Sequence, residues 1–249
     1  MYKAKSQVLL LALLIALVGC GGATTTTSAT TTATGTPTAV NLGTASTFAV
    51  MATSAISGTG AILINGDVGL APGTSQGIPP SQINGTIHVN DASVTKAQVD
   101  LLAAYNDAVA RSTNAQTLQG NLGGLTFTPG LYVNSSSVLI SGSGPSNNVT
   151  LDAGGNANAV FIFKMSSTLT TASGAQVILA GGALAKNVYW LVGSSATFGT
   201  TTIFQGNILA AVSVTVNGNS DITGRIFAGA GGGAASVTFD ASRITVPAS

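Results

Sequence analysis

Glutamate is absent from this chain, and charged residues of every kind make up 6% of its 249 positions. Ordinary soluble domains carry about 25%. The formal charge is +1, from 8 Lys and Arg against 7 Asp. That balance offers no cationic cluster for nucleic acid or for an anionic membrane surface. Histidine occurs once, as His88, and cysteine once, as Cys20. One histidine makes no paired metal site, and one cysteine makes no internal disulfide, so the fold must be held by its own core. The acidic residues Asp67, Asp91, Asp100, Asp107, Asp152, Asp221 and Asp240 fall at no close spacing. Only Asp221 and Asp240, on neighbouring repeats, are placed to stack. Neither catalysis, a cofactor nor a small-molecule substrate is expected, and His88 reads as a satisfied surface or corner residue.

What is abundant is Gly, Thr, Ala, Ser, Val and Asn, a mixture that favours strands and turns. The N-terminus differs. Lys3 and Lys5 precede the apolar run Val8 to Val18, which is too short to span a bilayer and suits the core of an export signal. Leu17-Val18-Gly19-Cys20 resembles the lipobox of bacterial lipoproteins, in which cleavage precedes a lipidated Cys; the alternative is a plain signal peptide with an incidental Cys. With Gly21 rather than Asp after Cys20, the lipobox reading gives a lipid-anchored protein of the outer membrane or cell surface. Its membrane contact runs only through that anchor. Residues 1–19 are then a signal peptide and 20–39 a lipidated, Thr-rich tether. Residues 40–249 are the folded domain.

Within that domain "ATFGTTTIFQGNILA" is followed eighteen residues later by "VTVNGNSDITGRIFA". Thr197 matches Thr215, Phe204 matches Ile222, Gly206 matches Gly224, and Ile208 matches Ile226. A related unit recurs at Ile64-Asn65-Gly66-Asp67-Val68 and Ile83-Asn84-Gly85-Thr86-Ile87, and "VTFDASRITV" begins another copy that the C-terminus cuts off. A period near 20 residues with strand-like contents marks a solenoid, in which coils stack to share one core. Trp190 and Tyr189 are expected in that core or beneath a helix. One helix is legible at about 95–112, with a Thr95/Gln98 capping box and a Val94/Val99 staple. Val99, Leu102, Ala103, Val109 and Ala110 fall on one side of it, and Asp107 precedes Arg111 by four residues. Such a helix would lie along one flank.

The stretches "NLGTASTFAVMA", "INGDVGLAPGT", "LLAAYNDAVAR", "LGGLTFTPGLY", "LDAGGNANAVFIFKMSSTLTTASGAQVIL" and "NVYWLVGSSATFGTTTIFQGNILA", in that order, are similar to the microbial ice-binding (antifreeze) protein family. The resemblance implies a mainly β, right-handed discontinuous β-solenoid of triangular cross-section with one flanking helix, and an ice crystal surface as ligand. Family members often carry Thr-Ala/Gly-x-Thr/Asn on successive strands of the ice face. Here that pattern maps onto Thr59-Gly60-Ala61-Ile62, Thr171-Ala172-Ser173-Gly174, Thr200-Thr201-Thr202-Ile203 and Gly218-Asn219-Ser220-Asp221. The first three keep the leading Thr, and none keeps the fourth position. The candidate ice-binding residues are therefore Thr59, Ala61, Thr171, Ser173, Thr200, Thr201, Thr202, Asn217, Asn219 and Ser220. The second reading is a structural or adhesive envelope domain that binds glycan or protein.

Overall fold

The computed structural model of the chain describes residues 30–31 and 35–248. The expected signal peptide, Cys20 and most of the tether lie outside the described residues. From there on, each coil supplies parallel strands to the sides of a solenoid. The strands join into one 16-stranded and one 7-stranded sheet. The larger sheet bends and forms two sides: Ile203–Ala210 pairs with Gln176–Ala180 at its start and with Val188–Val192 at its end.

The eighteen-residue repeat is the coil length. Phe204 lies beside Ile222, Gly206 beside Gly224 and Ile208 beside Ile226. Thr197 lies beside Thr215 in the smaller sheet. Glycine is required at the bend, because a Cβ on Gly224 would sit 1.8 Å from the carbonyl oxygen of Gly206. The truncated last copy is completed by the start of the domain. Arg243–Thr245 lies between Asp221–Ala228 and Leu63–Asn65. Phe48–Ala52 lies between Asp221–Ala228 and Asp67–Leu70. One coil is thus assembled from both ends of the domain, and this is the discontinuity.

Inside, rings pack against one another from coil to coil. Centroids are 5.4 Å apart for Tyr132 and Phe163, 4.3 Å for Phe163 and Trp190, and 5.0 Å for Trp190 and Phe204. The indole N–H of Trp190 donates to the Gln205 carbonyl at 3.0 Å, so burying its polar handle costs little.

The helix covers the side formed by Gly130–Asn134, Phe161–Met165 and Val188–Val192. It runs from Ala92–Ala110 rather than from Thr95. Its cap is Asp91, whose Oδ1 accepts from the Val94 N–H at 2.9 Å; Thr95 instead donates to the Asp91 carbonyl. The buried stripe is also not the expected one. Val94, Ala97, Leu101, Ala104, Tyr105 and Ala108 face the sheet, while Val99, Leu102 and Val109 are exposed. Small residues let the helix approach, and the sheet supplies the bulk through Leu131, Ile162, Tyr189, Leu191, Leu209 and Phe227. Trp190 lies in the main core and Tyr189 under the helix. The Arg111–Asp107 ion pair forms at 2.6 Å. Nineteen helical residues span about 28 Å, which carries the chain from the Ile87–Val89 end of the stack towards its opposite end at Gln116–Thr117. Lys164 caps the helix C-terminus by donating to the carbonyls of Val109 and Arg111 at 2.8 and 2.9 Å.

Two latches hold the residues that lead into Phe48–Ala52. Arg225 is 9% exposed. Its guanidinium donates to the Ser46 carbonyl at 2.7 and 2.9 Å and to Asn207 Oδ1 at 2.9 Å. On the helix, Asp100 accepts from the Thr44 N–H at 2.9 Å and the Thr44 hydroxyl at 2.6 Å, with Lys96 Nζ at 3.1 Å. The Thr44 bonds, then Lys96, hold the Asp100 carboxyl down from 3.8 to about 2.

Arg225→Met strands Asn207 Oδ1 in the interior and takes the donor from the part-buried Ser46 carbonyl. It is expected to cost about 1–3 kcal/mol and lower the melting temperature by about 3–10 °C in a thermal unfolding scan. The Asp100 latch has a pH signature. Its folded pKa lies below its unfolded value, so its stabilisation is complete above about pH 4 and is lost as pH falls towards 2. Denaturation midpoints measured across that window should fall in the native chain and fall less steeply in Asp100→Asn.

Candidate functional site

The 7-stranded sheet forms the remaining side, from Val138–Ile140 through Leu169–Thr171, Ala196–Phe198, Val214–Val216, Ser236–Asp240 and Ala55–Thr59 to Ser75–Gln76. Alternation along each strand sends one residue in and the next out. Val138, Leu169, Ala196, Val214, Val237 and Ile56 point inward and are buried. Between the inward positions, the register stacks Leu139, Thr170, Thr197, Thr215, Thr238 and Ser57 into one outward column. Two residues earlier on each strand a second column runs through Ser137, Thr168, Ser195, Ser213, Ser236, Ala55 and Ser75. The columns lie about 6.6 Å apart, and at about 4.8 Å per strand the first extends over about 24 Å and the second over about 29 Å.

Hydroxyls within the columns approach one another. Thr168 Oγ1 donates to Ser137 Oγ at 2.9 Å, Ser213 and Ser236 stand 3.3 Å apart, and Ser57 and Thr238 stand 3.5 Å apart. Thr170, Thr197 and Thr215 sit in register on consecutive strands of this column. The side is built of methyl and hydroxyl groups at fixed spacing on a sheet whose opposite face is a packed core.

Of the residues expected from the sequence, Thr59 ends a strand of this side with its side chain outward, and Asn217 follows on the same column. The others form the corner where the small sheet turns into the large one. Thr171, Thr202 and Ser220 are buried there, which corrects the expectation that they contact ligand. The Thr202 hydroxyl donates to the Gly199 carbonyl at 2.7 Å, and Ser220 to the Asn217 carbonyl at 2.7 Å. Thr171 Oγ1 lies 2.9 Å from Thr202 Oγ1 and accepts from the Gly199 N–H at 2.9 Å. These hydroxyls satisfy backbone groups that the turn removes from the sheet. Thr201 and Asn219 hold the turn itself, with φ of 57° and 59°. Thr59, Ala61, Ser173 and Thr200 are exposed along the corner edge, where Thr200 donates to Ser173 Oγ at 2.9 Å. Asn217 is half-buried and donates to the Phe198 carbonyl at 2.8 Å. The strand hydroxyls Thr170, Thr197, Thr215 and Thr238 were missed. The signal for them was present: Thr197 and Thr215 are the pair that opens the eighteen-residue repeat.

Other chemistry is scattered. Asp221 pairs with Arg243 on the third side, away from Asp240. His88 Nδ1 lies 2.6 Å from Asp91 Oδ2, with its ring edge-on to Phe48. Among the described residues no three His, Cys, Asp or Glu side chains gather in a group suited to a metal ion, and no helix is long and apolar enough to cross a membrane.

A family model described as Ice-binding-like matches residues 50–245. An ice-binding protein of Nostoc sp. (strain HG1) is 41% identical over 185 residues, which cover 74% of this chain and 65% of that protein. The chain thus spans just under two thirds of that relative's length. An ice-binding protein of Flavobacterium frigoris (strain PS1) is 33% identical over 200 residues, covering 74% of this chain and 68% of that protein. The crystal structure of an ice binding protein from an Antarctic biological consortium superposes with a TM-score of 0.81 at 46% identity, covering 86% of this chain and 94% of that one. The solenoid with its single flanking helix, its coil assembled from both ends and these matches lead to one assignment: the chain belongs to the ice-binding-like family.

Proposed function

We propose that this protein adsorbs to ice through the outward columns of the 7-stranded sheet. The observation that carries this is the register that sets Thr170, Thr197, Thr215 and Thr238 side by side on consecutive strands. Each contact to frozen water is weak. Many of them made at once by a rigid surface sum to adsorption, because little side-chain freedom remains to be lost. Molecules held on the crystal pin the ice front between them, and growth and recrystallisation slow. The export signal and Cys20 support a cell-surface location, with the Thr-rich segment as tether; a molecule held there acts on ice that touches the cell. The glycan-binding alternative lacks a stacking platform. Among the described residues every Phe, Tyr and Trp is buried, whereas sugar faces are commonly recognised by exposed rings.

The test separates face from corner. In Thr215→Tyr a bulky ring breaks the plane, and recrystallisation inhibition should fall at least about tenfold, about 1.4 kcal/mol of adsorption, with the melting temperature nearly unchanged. In Thr202→Val the buried hydroxyl is lost, which is expected to cost about 1–2 kcal/mol of stability while ice activity below the melting temperature is retained. Equal ice activity in Thr215→Tyr and the native chain would remove the proposal.

A further inference from the structure

Among the outward side chains of the 7-stranded sheet only one is charged, Asp240. It is the last outward position of Ser236–Asp240, two residues beyond Thr238, and its register partner is Thr59. The Thr59 hydroxyl donates to Asp240 Oδ1 at 3.1 Å. The other carboxylate oxygen lies 3.0 Å from the place a Cβ on Gly218 would occupy. The group therefore lies along the face, between the strand that ends at Gly218's turn and the strand that ends at Thr59.

Among the described residues no ion pair includes it. The ion pairs among the described residues are His88–Asp91, Lys96–Asp100, Arg111–Asp107 and Arg243–Asp221. Arg243, three residues further on, is committed to Asp221 on the third side. On the same column Ser141, Ala172 and Gly199 are small and uncharged, and Asn217, next to Asp240, turns its amide to the Phe198 carbonyl at 2.8 Å. The column thus carries no charge from Ser141 to Asn217, and it turns ionic at Asp240.

An unpaired carboxylate orients its nearest waters towards its own oxygens. Pressing it against a solid whose molecules have fixed orientations costs part of that hydration. We infer that Asp240 is a specificity-determining residue of the ice face: it limits adsorption at the corner edge of the contact patch, leaving Thr170, Thr197, Thr215 and Thr238 with the flanking serines as the working area. The inference rests on the ice-adsorption reading. It deepens that reading by assigning an attenuating role to one residue.

The purified protein is compared with Asp240→Asn, Asp240→Lys and Thr197→Tyr for the lowest concentration that stops ice recrystallisation, with melting temperatures as a check on folding. Asn keeps the shape and the acceptor for Thr59 and removes the charge. Asp240→Asn should act at about fivefold lower concentration than the native chain, equivalent to about 1 kcal/mol. Asp240→Lys restores a charge of opposite sign and should fall back to the native level or below it. If Asp240→Asn is equal to or weaker than the native chain while Thr197→Tyr is weaker still, the attenuating role is overturned and the ice face stands. If the native chain and Thr197→Tyr are equally inert, the ice-adsorption reading fails and takes this inference with it.

Discussion

Parallel register between stacked coils is the constraint on which the rest of this structure depends. Neighbouring strands are held about 4.8 Å apart by their backbone hydrogen bonds, and a residue in one coil sits directly over its counterpart in the next. A property repeated in the sequence thereby becomes a column in space. Inward columns become the aromatic and aliphatic core, glycine columns become corners, and outward Ser and Thr columns become a regular surface. A one-residue slip would exchange core and surface. The packed rings around Phe163 and Trp190 are therefore part of what keeps the outer face in place.

The low charge follows from the same constraint. A column of like charges at strand spacing repels itself, and a column of mixed charges binds water and ions unevenly. The molecule keeps its charged residues off the outward columns of the 7-stranded sheet, with Asp240 as the exception. They lie mainly along the helix and on the third side, where Asp221 and Arg243 pair. The discontinuous coil serves the face as well. Ala55–Thr59 joins Ser236–Asp240, so the outward surface continues across the junction between the two ends of the domain. Arg225 and Asp100 stabilise that junction from the helix side.

The fold was legible in the sequence because its period was. The pairing of Thr197 with Thr215 and of Gly206 with Gly224 could be written down without coordinates, and it is the observed register. The site was legible only in part. Thr and Ser serve two purposes here: on strands they face water, and at corners they bond back to carbonyls. The two uses lie only a few residues apart, as with Thr170 outside and Thr171 inside. A motif that starts from the Thr nearest the turn therefore selects the corner. The helix misled for a related reason. Periodicity was read from its larger apolar residues, but the sheet beneath is already bulky, and the side that fits closely is the one carrying Ala97, Ala104 and Ala108.

The central claim is that one side of the solenoid, and no other, meets ice. The most direct measurement uses a chain with Cys20 replaced by Ser and a single new Cys at position 197, 178 or 106. Each carries the same bulky label, and uptake into a slowly growing ice hemisphere is compared. Position 197 lies on the 7-stranded sheet, 178 on the third side and 106 on the exposed face of the helix. The account requires uptake to be lost with the label at 197 and kept with it at 178 and 106. Uptake that survives at 197, or that is lost at 178 or 106 instead, would contradict it.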